Sequence, residues 1–177
     1  MLTKNFYNHV MSYLTGNTIV GGAVDTNGTV YDMYDAEKIT YDWSYMKTLT
    51  LSNYFGNYSA GAGVRIGNGV TPATADDYTL ESIITNDRLV IGNPGSVLVT
   101  KEKDFVAVYA VYTIANNGTE SQSISEIGLF TGMKTGSSST NITLGLMDRT
   151  VLESPITINP GEAKPITYTI RFNYPVE

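Results

Sequence analysis

From Gly61 onward the chain is cut by Gly, Asn and Pro into short runs dense in Val, Ile, Tyr, Phe and Thr. The last of these, Lys164 to Tyr174, alternates strictly. Ile166, Tyr168, Ile170 and Phe172 fall on one parity, and Thr167, Thr169, Arg171 and Asn173 on the other. Successive side chains of a strand point to opposite faces, so this pattern fits a half-buried strand and no helix. Asp104–Ala115 is the longest strand-like segment, dense in Val, Tyr, Ile and Phe; Ser121–Phe130, Ile142–Leu152 and Ile156–Ile158 are further strand candidates, and Ala62–Ile66 alternates before the Gly67-Asn68-Gly69 turn. Strands repeating at about ten residues between such turns predict a mainly β chain, an antiparallel β-sandwich of jelly-roll type.

Residues 2–14 are the exception. Leu2, Phe6, Val10, Met11 and Leu14 recur at three- and four-residue steps, and Gly16 stands where a helix stops. About three turns are marginal in water, so the apolar stripe needs a surface to dock on. That surface belongs either to its own domain or to a neighbouring subunit, which makes these five residues a candidate assembly contact. The expected organisation is a helical segment, 1–16, followed by a single β domain, 17–177. Between them, Asn27-Gly28 predicts a type I′ hairpin turn. An acidic, tyrosine-rich stretch follows, in which Lys47–Leu51 reads as a possible strand.

Composition narrows the chemistry. Among 177 residues there is no cysteine and one histidine, His9. Thiolate metal sites, disulfides and a cysteine nucleophile are excluded, and a histidine-based triad would have to use His9. The net charge of −6 disfavours nucleic acid, because phosphate contacts need clustered Lys and Arg. The polar opening, residues 1–20, does not read as a secretory leader, and no apolar run is long enough to span a bilayer. The expectation is therefore synthesis in a cytoplasm with no membrane partner, and the Asn-x-Ser/Thr triplets at Asn27, Asn57, Asn117 and Asn141 count as chance.

Individual motifs point to scaffold rather than catalysis. Gly61 to Gly69 lacks the Gly-Lys-Ser/Thr of a phosphate loop and the strand-and-helix context of a dinucleotide fingerprint. Asp25, Asn27, Asp32, Asp35 and Glu37 would offer oxygen ligands, but a calcium loop opening at Asp25 would close on Ala36, so a solvated acidic face is expected. Tyr41, Trp43 and Tyr45 suit either a protein interface or a sugar ring. Glu126 and Arg149 are expected to pair across neighbouring strands, Gly128 permitting close backbone approach. Asp76-Asp77-Tyr78 is expected to form a capped turn that holds its tyrosine against the sheet. No catalytic residue, metal or cofactor is assigned.

Three segments carry a resemblance: residues 66–80, IGNGVTPATADDYTL; residues 125–130, SEIGLF; and residues 146–162, LMDRTVLESPITINPGE. In this order they resemble small β-rich virion structural proteins of tailed bacteriophages, over about residues 61–175. The resemblance implies a non-enzymatic virion protein, at the head (decoration or fibre attachment) or the head–tail region. It would be made in the host bacterial cytoplasm, associating with itself or with other virion proteins. The alternative is a carbohydrate- or receptor-binding β-sandwich module of a phage tail, using Trp43 and its neighbouring tyrosines.

Overall fold

The computed structural model describes residues 1–34, 63–85, 89–92, 97–136 and 141–174. They form one helix, α1 (Lys4–Thr15), and nine strands: β1 (Ile19–Val24), β2 (Val30–Met33), β3 (Gly63–Gly67), β4 (Val90–Ile91), β5 (Val97–Lys101), β6 (Phe105–Ala115), β7 (Gln122–Lys134), β8 (Ile142–Ile158) and β9 (Ala163–Asn173). The described residues are mainly β with one short helix, and every pairing whose register is defined is antiparallel. It divides into two units, Met1–Ile83 with Ile124–Pro155, and Ile84–Ser123 with Ile156–Glu177. The helix lies within the first unit.

In the second unit β9 pairs along the whole of β6, from Phe105↔Asn173 to Ala115↔Ala163, while β5 and β4 pair with successive stretches of β6. The alternation read from Lys164 to Tyr174 sets the faces of β9, and β6 buries one parity beside it. Val108, Ala110, Tyr112 and Ile114 of β6, with Tyr168 and Ile170 of β9, are buried. Thr113, Thr167 and Thr169 on the opposite parity are exposed. β4 and β5 have no counterpart in the sequence reading, because two and five residues give too little periodicity to register. Ile142 to Ile158 forms one long strand where two were expected.

In the first unit β7 runs between β3 and β8. Both parities of β7 are buried: Ile124, Glu126 and Phe130 on one, Ser125, Ile127 and Leu129 on the other. A strand covered on both faces reads as a near-continuous apolar run. Gly128 is small for a physical reason: a Cβ there would lie 2.8 Å from Leu80 Cδ2 and 2.9 Å from Leu146 Cδ1. Leu80, Phe130 and Leu146 close the core at this point, with Leu144 packed against them. The β1–β2 hairpin differs from the expected two-residue turn. Its loop is Asp25 to Thr29, with Gly28 N–H donating to Asp25 C=O at 2.9 Å and Gly28 at φ 82°. Asp25 Oδ1 also accepts from the Asn27 and Thr29 amides, so aspartate at the first turn position sets the loop, not Asn27.

The helix is anchored through polar side chains. Thr3, Asn5 and Ser12 are buried, whereas Tyr7, Met11 and Leu14 are 54%, 49% and 69% exposed. Asn5 donates to the carbonyls of Val24 at 2.8 Å and Leu146 at 3.3 Å, and accepts from Val24 N–H at 2.8 Å. Asn8 donates to Gly22 C=O, and the Thr3 hydroxyl to Leu146 C=O. Upstream, Leu2 bridges to Asp148 and Met1 C=O accepts from Arg149 N–H. The C-terminal end matches expectation, Gly16 taking the left-handed conformation with its N–H on Ser12 C=O. The expected five-residue stripe is thus split, with Leu2, Phe6 and Val10 half-buried and Met11 and Leu14 facing outward.

Because Asn5 reproduces the hydrogen bonds of a neighbouring strand, Asn5→Leu keeps the volume but removes the partner of the part-buried N–H and C=O of Val24 and of the Leu146 carbonyl. Chemical denaturation should show a loss of about 1–3 kcal/mol. A change below about 0.5 kcal/mol, the range of ordinary surface substitutions, would mean that the helix is held by Phe6 and Val10 instead.

Candidate functional site

The densest polar constellation in the first unit is built where the three resembling segments meet. Glu126 is fully buried, at 0% exposure, on β7, and Arg149 of β8 is 3% exposed. Arg149 Nε donates to Glu126 Oε2 at 2.8 Å. Its Nη1 donates to Asp77 Oδ2 at 2.9 Å, and its Nη2 lies 3.5 Å from Glu81 Oε2. One guanidinium therefore faces three carboxylates, two of them on the 68–82 loop that leaves β3.

Backbone amides balance the excess negative charge. Glu126 Oε1 accepts from Gly69 N–H at 3.1 Å and Ser82 N–H at 2.8 Å, and Oε2 accepts from Glu81 N–H at 3.2 Å. Glu81 accepts from the Val70 and Thr71 amides at 2.8 Å and from the Thr71 hydroxyl at 2.9 Å. Asp77 accepts from the Thr74 amide at 2.9 Å and its hydroxyl at 2.8 Å. This arrangement explains the glycines of 67–69. Gly67 sits directly opposite Glu126 in the β3–β7 register, and a Cβ at Gly69 would fall 2.6 Å from Glu126 Oε1. The glycine pattern that superficially suggests a phosphate loop is room for a protein carboxylate.

The electrostatics follow. Burial alone would raise the Asp77 carboxyl, but the Thr74 amide, the Arg149 guanidinium and the Thr74 hydroxyl outweigh it and hold Asp77 below its usual range. The Thr71 amide and hydroxyl, with Val70 N–H and Arg149, outweigh a smaller desolvation cost and hold Glu81 low as well. Burial disfavours the charged Arg149, yet its bonds to Asp77 and Glu126 more than compensate and raise its pKa. Every carboxylate in the cluster is occupied by several donors. The arrangement ties the 68–82 loop to β7 and β8.

The other sequence candidates lie elsewhere. His9, on α1, is half-buried, and desolvation pushes its imidazole down to about 4, leaving a neutral, weak base at physiological pH. Asp25 spends its carboxylate on the hairpin loop, and its Oδ2 lies 3.5 Å from the Tyr31 hydroxyl. Asp32 Oδ1 accepts from Gly21 N–H at 2.9 Å. Among the described residues no three acidic or histidine side chains group as a metal site would require, and no helix is long and apolar enough to cross a membrane. Tyr41, Trp43, Tyr45, Asp35 and Glu37 lie outside the described residues. The expected Asp77 turn is present, but Tyr78 is exposed and its ring lies beside Gly28 in the β1–β2 loop. Sequence reasoning did not single out Glu81 as part of the cluster. Its spacing of ten residues from Thr71 carries no periodic signal, and only loop closure brings the two together.

Breaking a buried ion pair from one side leaves an uncompensated charge, so Glu126→Gln and Arg149→Met should each cost about 3–5 kcal/mol. The double variant should lose less than the sum, with a coupling of about 1–3 kcal/mol in a denaturation cycle. Additive losses would show that the two side chains do not interact.

No protein-family model, no curated protein and no solved structure matches the chain.

Proposed function

We propose that this chain is a non-enzymatic structural protein of a bacteriophage virion, which associates with itself or with other virion proteins at the head or head–tail region. In this reading its antiparallel sheets pack as a β-sandwich, and it is made in the host bacterial cytoplasm. The observation that carries it is the outer face of α1. A surface helix normally turns its apolar side chains inward, whereas this one hydrogen-bonds inward through Thr3, Asn5 and Asn8 and presents Tyr7, Met11 and Leu14 to solvent. These residues stand at i, i+4 and i+7, the spacing of anchors that seat in a partner's groove. Two further points support the reading. The segments that resemble phage proteins are those joined by the Glu126–Arg149–Asp77 network, so the resemblance coincides with a structural need. The carboxylates of that network are engaged in holding backbone, which suits a scaffold.

The test is a Tyr7→Ser, Met11→Ser, Leu14→Ser triple variant. Its melting temperature should stay close to that of the parent, since exposed substitutions rarely exceed about 0.5 kcal/mol. Its oligomer mass, or its incorporation into particles, should fall several-fold. Unchanged assembly together with absence of the parent chain from purified particles would overturn the proposal.

A further inference from the structure

The loop between β3 and the Gly67↔Ile83 bridge is closed on itself. Asn68 N–H donates to Ser82 C=O at 2.9 Å, so residues 68–82 leave and rejoin the sheet at one place, as a compact Ω-loop does. Apolar burial holds it at a single large side chain: Leu80 is buried against Phe130 and Leu146 above Gly128, while Val70, Pro72 and Tyr78 are exposed. Its remaining ties to the sheet are ionic or charge-assisted. Gly69, Glu81 and Ser82 N–H groups donate to Glu126, and Asp77 pairs with Arg149. At its outer side, Ala75 C=O accepts from Lys4 N–H at 2.8 Å, and Asp76 pairs with Lys4.

We propose that residues 68–82 form a carboxylate-locked strap, which opens as a unit from β7 and β8 when the Glu126–Arg149–Asp77 lock is neutralised and withdraws Leu80 from its seat on Phe130 and Leu146. The strap is a low-stability element by construction, because one apolar anchor and a cluster of charges hold it, whereas β7 is buried on both faces. The charged groups facing it are Glu126 from β7, Arg149 from β8 and Lys4 from α1, together with its own Asp76, Asp77 and Glu81. Arg65 of β3 lies over the Phe130 ring, 4.9 Å from its centroid. Asp77 and Glu81 are held below their ordinary values, about 3.9 and 4.3. Their contribution is therefore fully present above those values, and it is lost as pH falls through the lower, folded-state values. The strap stays shut at neutral pH and opens in acid, below about pH 4.

Amide hydrogen exchange on the full chain tests this, expressed as protection relative to the unfolded rate at each pH. Between pH 7 and pH 3, protection across 68–82 should fall at least tenfold while the amides of β7 and β8 keep theirs. At neutral pH, Glu126→Gln should produce the same selective loss. If that variant does not fold, Asp77→Asn, which removes the strap's own partner for Arg149, should give the same pattern with smaller amplitude. The chain has no cysteine, so Leu80→Cys supplies a single reporter thiol. At fixed pH its labelling should be several-fold faster when Asp77→Asn is added. Protection of 68–82 that survives acid and both substitutions, or that disappears only together with β3, β7 and β8, would overturn the proposal.

Discussion

Arg149 and Glu126 are buried together, and the first unit is arranged around that fact. An isolated charge in a protein interior costs several kcal/mol, so neither residue tolerates the site without the other and without further donors. Those donors come from the loop after β3, whose Gly69, Glu81 and Ser82 amides turn inward onto Glu126. Asp77 then reaches Arg149 from the same loop. Segments nearly eighty residues apart in sequence are brought together by one guanidinium and one carboxylate. Gly67 and Gly69 follow as consequences, because any side chain there would occupy the carboxylate's place.

The same logic, polar groups inward, governs α1. Asn5 holds the helix to the backbone of β1 and β8, beside the half-buried Leu2, Phe6 and Val10. That leaves Tyr7, Met11 and Leu14 available for another surface. Directional hydrogen bonds fix the helix's rotation more tightly than an apolar stripe would, since side-chain amides demand particular partners while hydrophobic contact does not. The exposed face is thereby presented in a defined orientation, which is what an assembly contact requires.

Much of the β framework was legible because alternation is a local signal. The buried face of β9 follows directly from the parity of Tyr168 and Ile170, whereas for β6 the density of Val, Tyr, Ile and Phe marks a strand and not its faces. Gly16 was legible as a helix stop for the same reason, since one residue's conformational freedom decides it. The pairing of Glu126 with Arg149 was suggested by opposite charges on successive strand segments. The third and fourth members, Asp77 and Glu81, were not, because nothing local links a loop carboxylate to a distant guanidinium. The apolar stripe of α1 is divided between a half-buried side (Leu2, Phe6, Val10) and an exposed one (Met11, Leu14), a split that periodicity alone does not show. Sequence gives no direct sign that Asn5 imitates a strand. The short strands β4 and β5 fell below the length at which periodicity can be recognised.

Glu126 holds Arg149 inside the first unit. Nitrogen-15 NMR of the arginine side chains reads this directly, through the exchange of the Nε–H proton with solvent. Arg149, which donates to a buried carboxylate at 2.8 Å, should show a persistent, slowly exchanging Nε–H, against a faster one for Arg171, whose Nε–H donates to Asn173 Oδ1 in an exposed pair. An Arg149 Nε–H that exchanges as fast as that of Arg171 would contradict it.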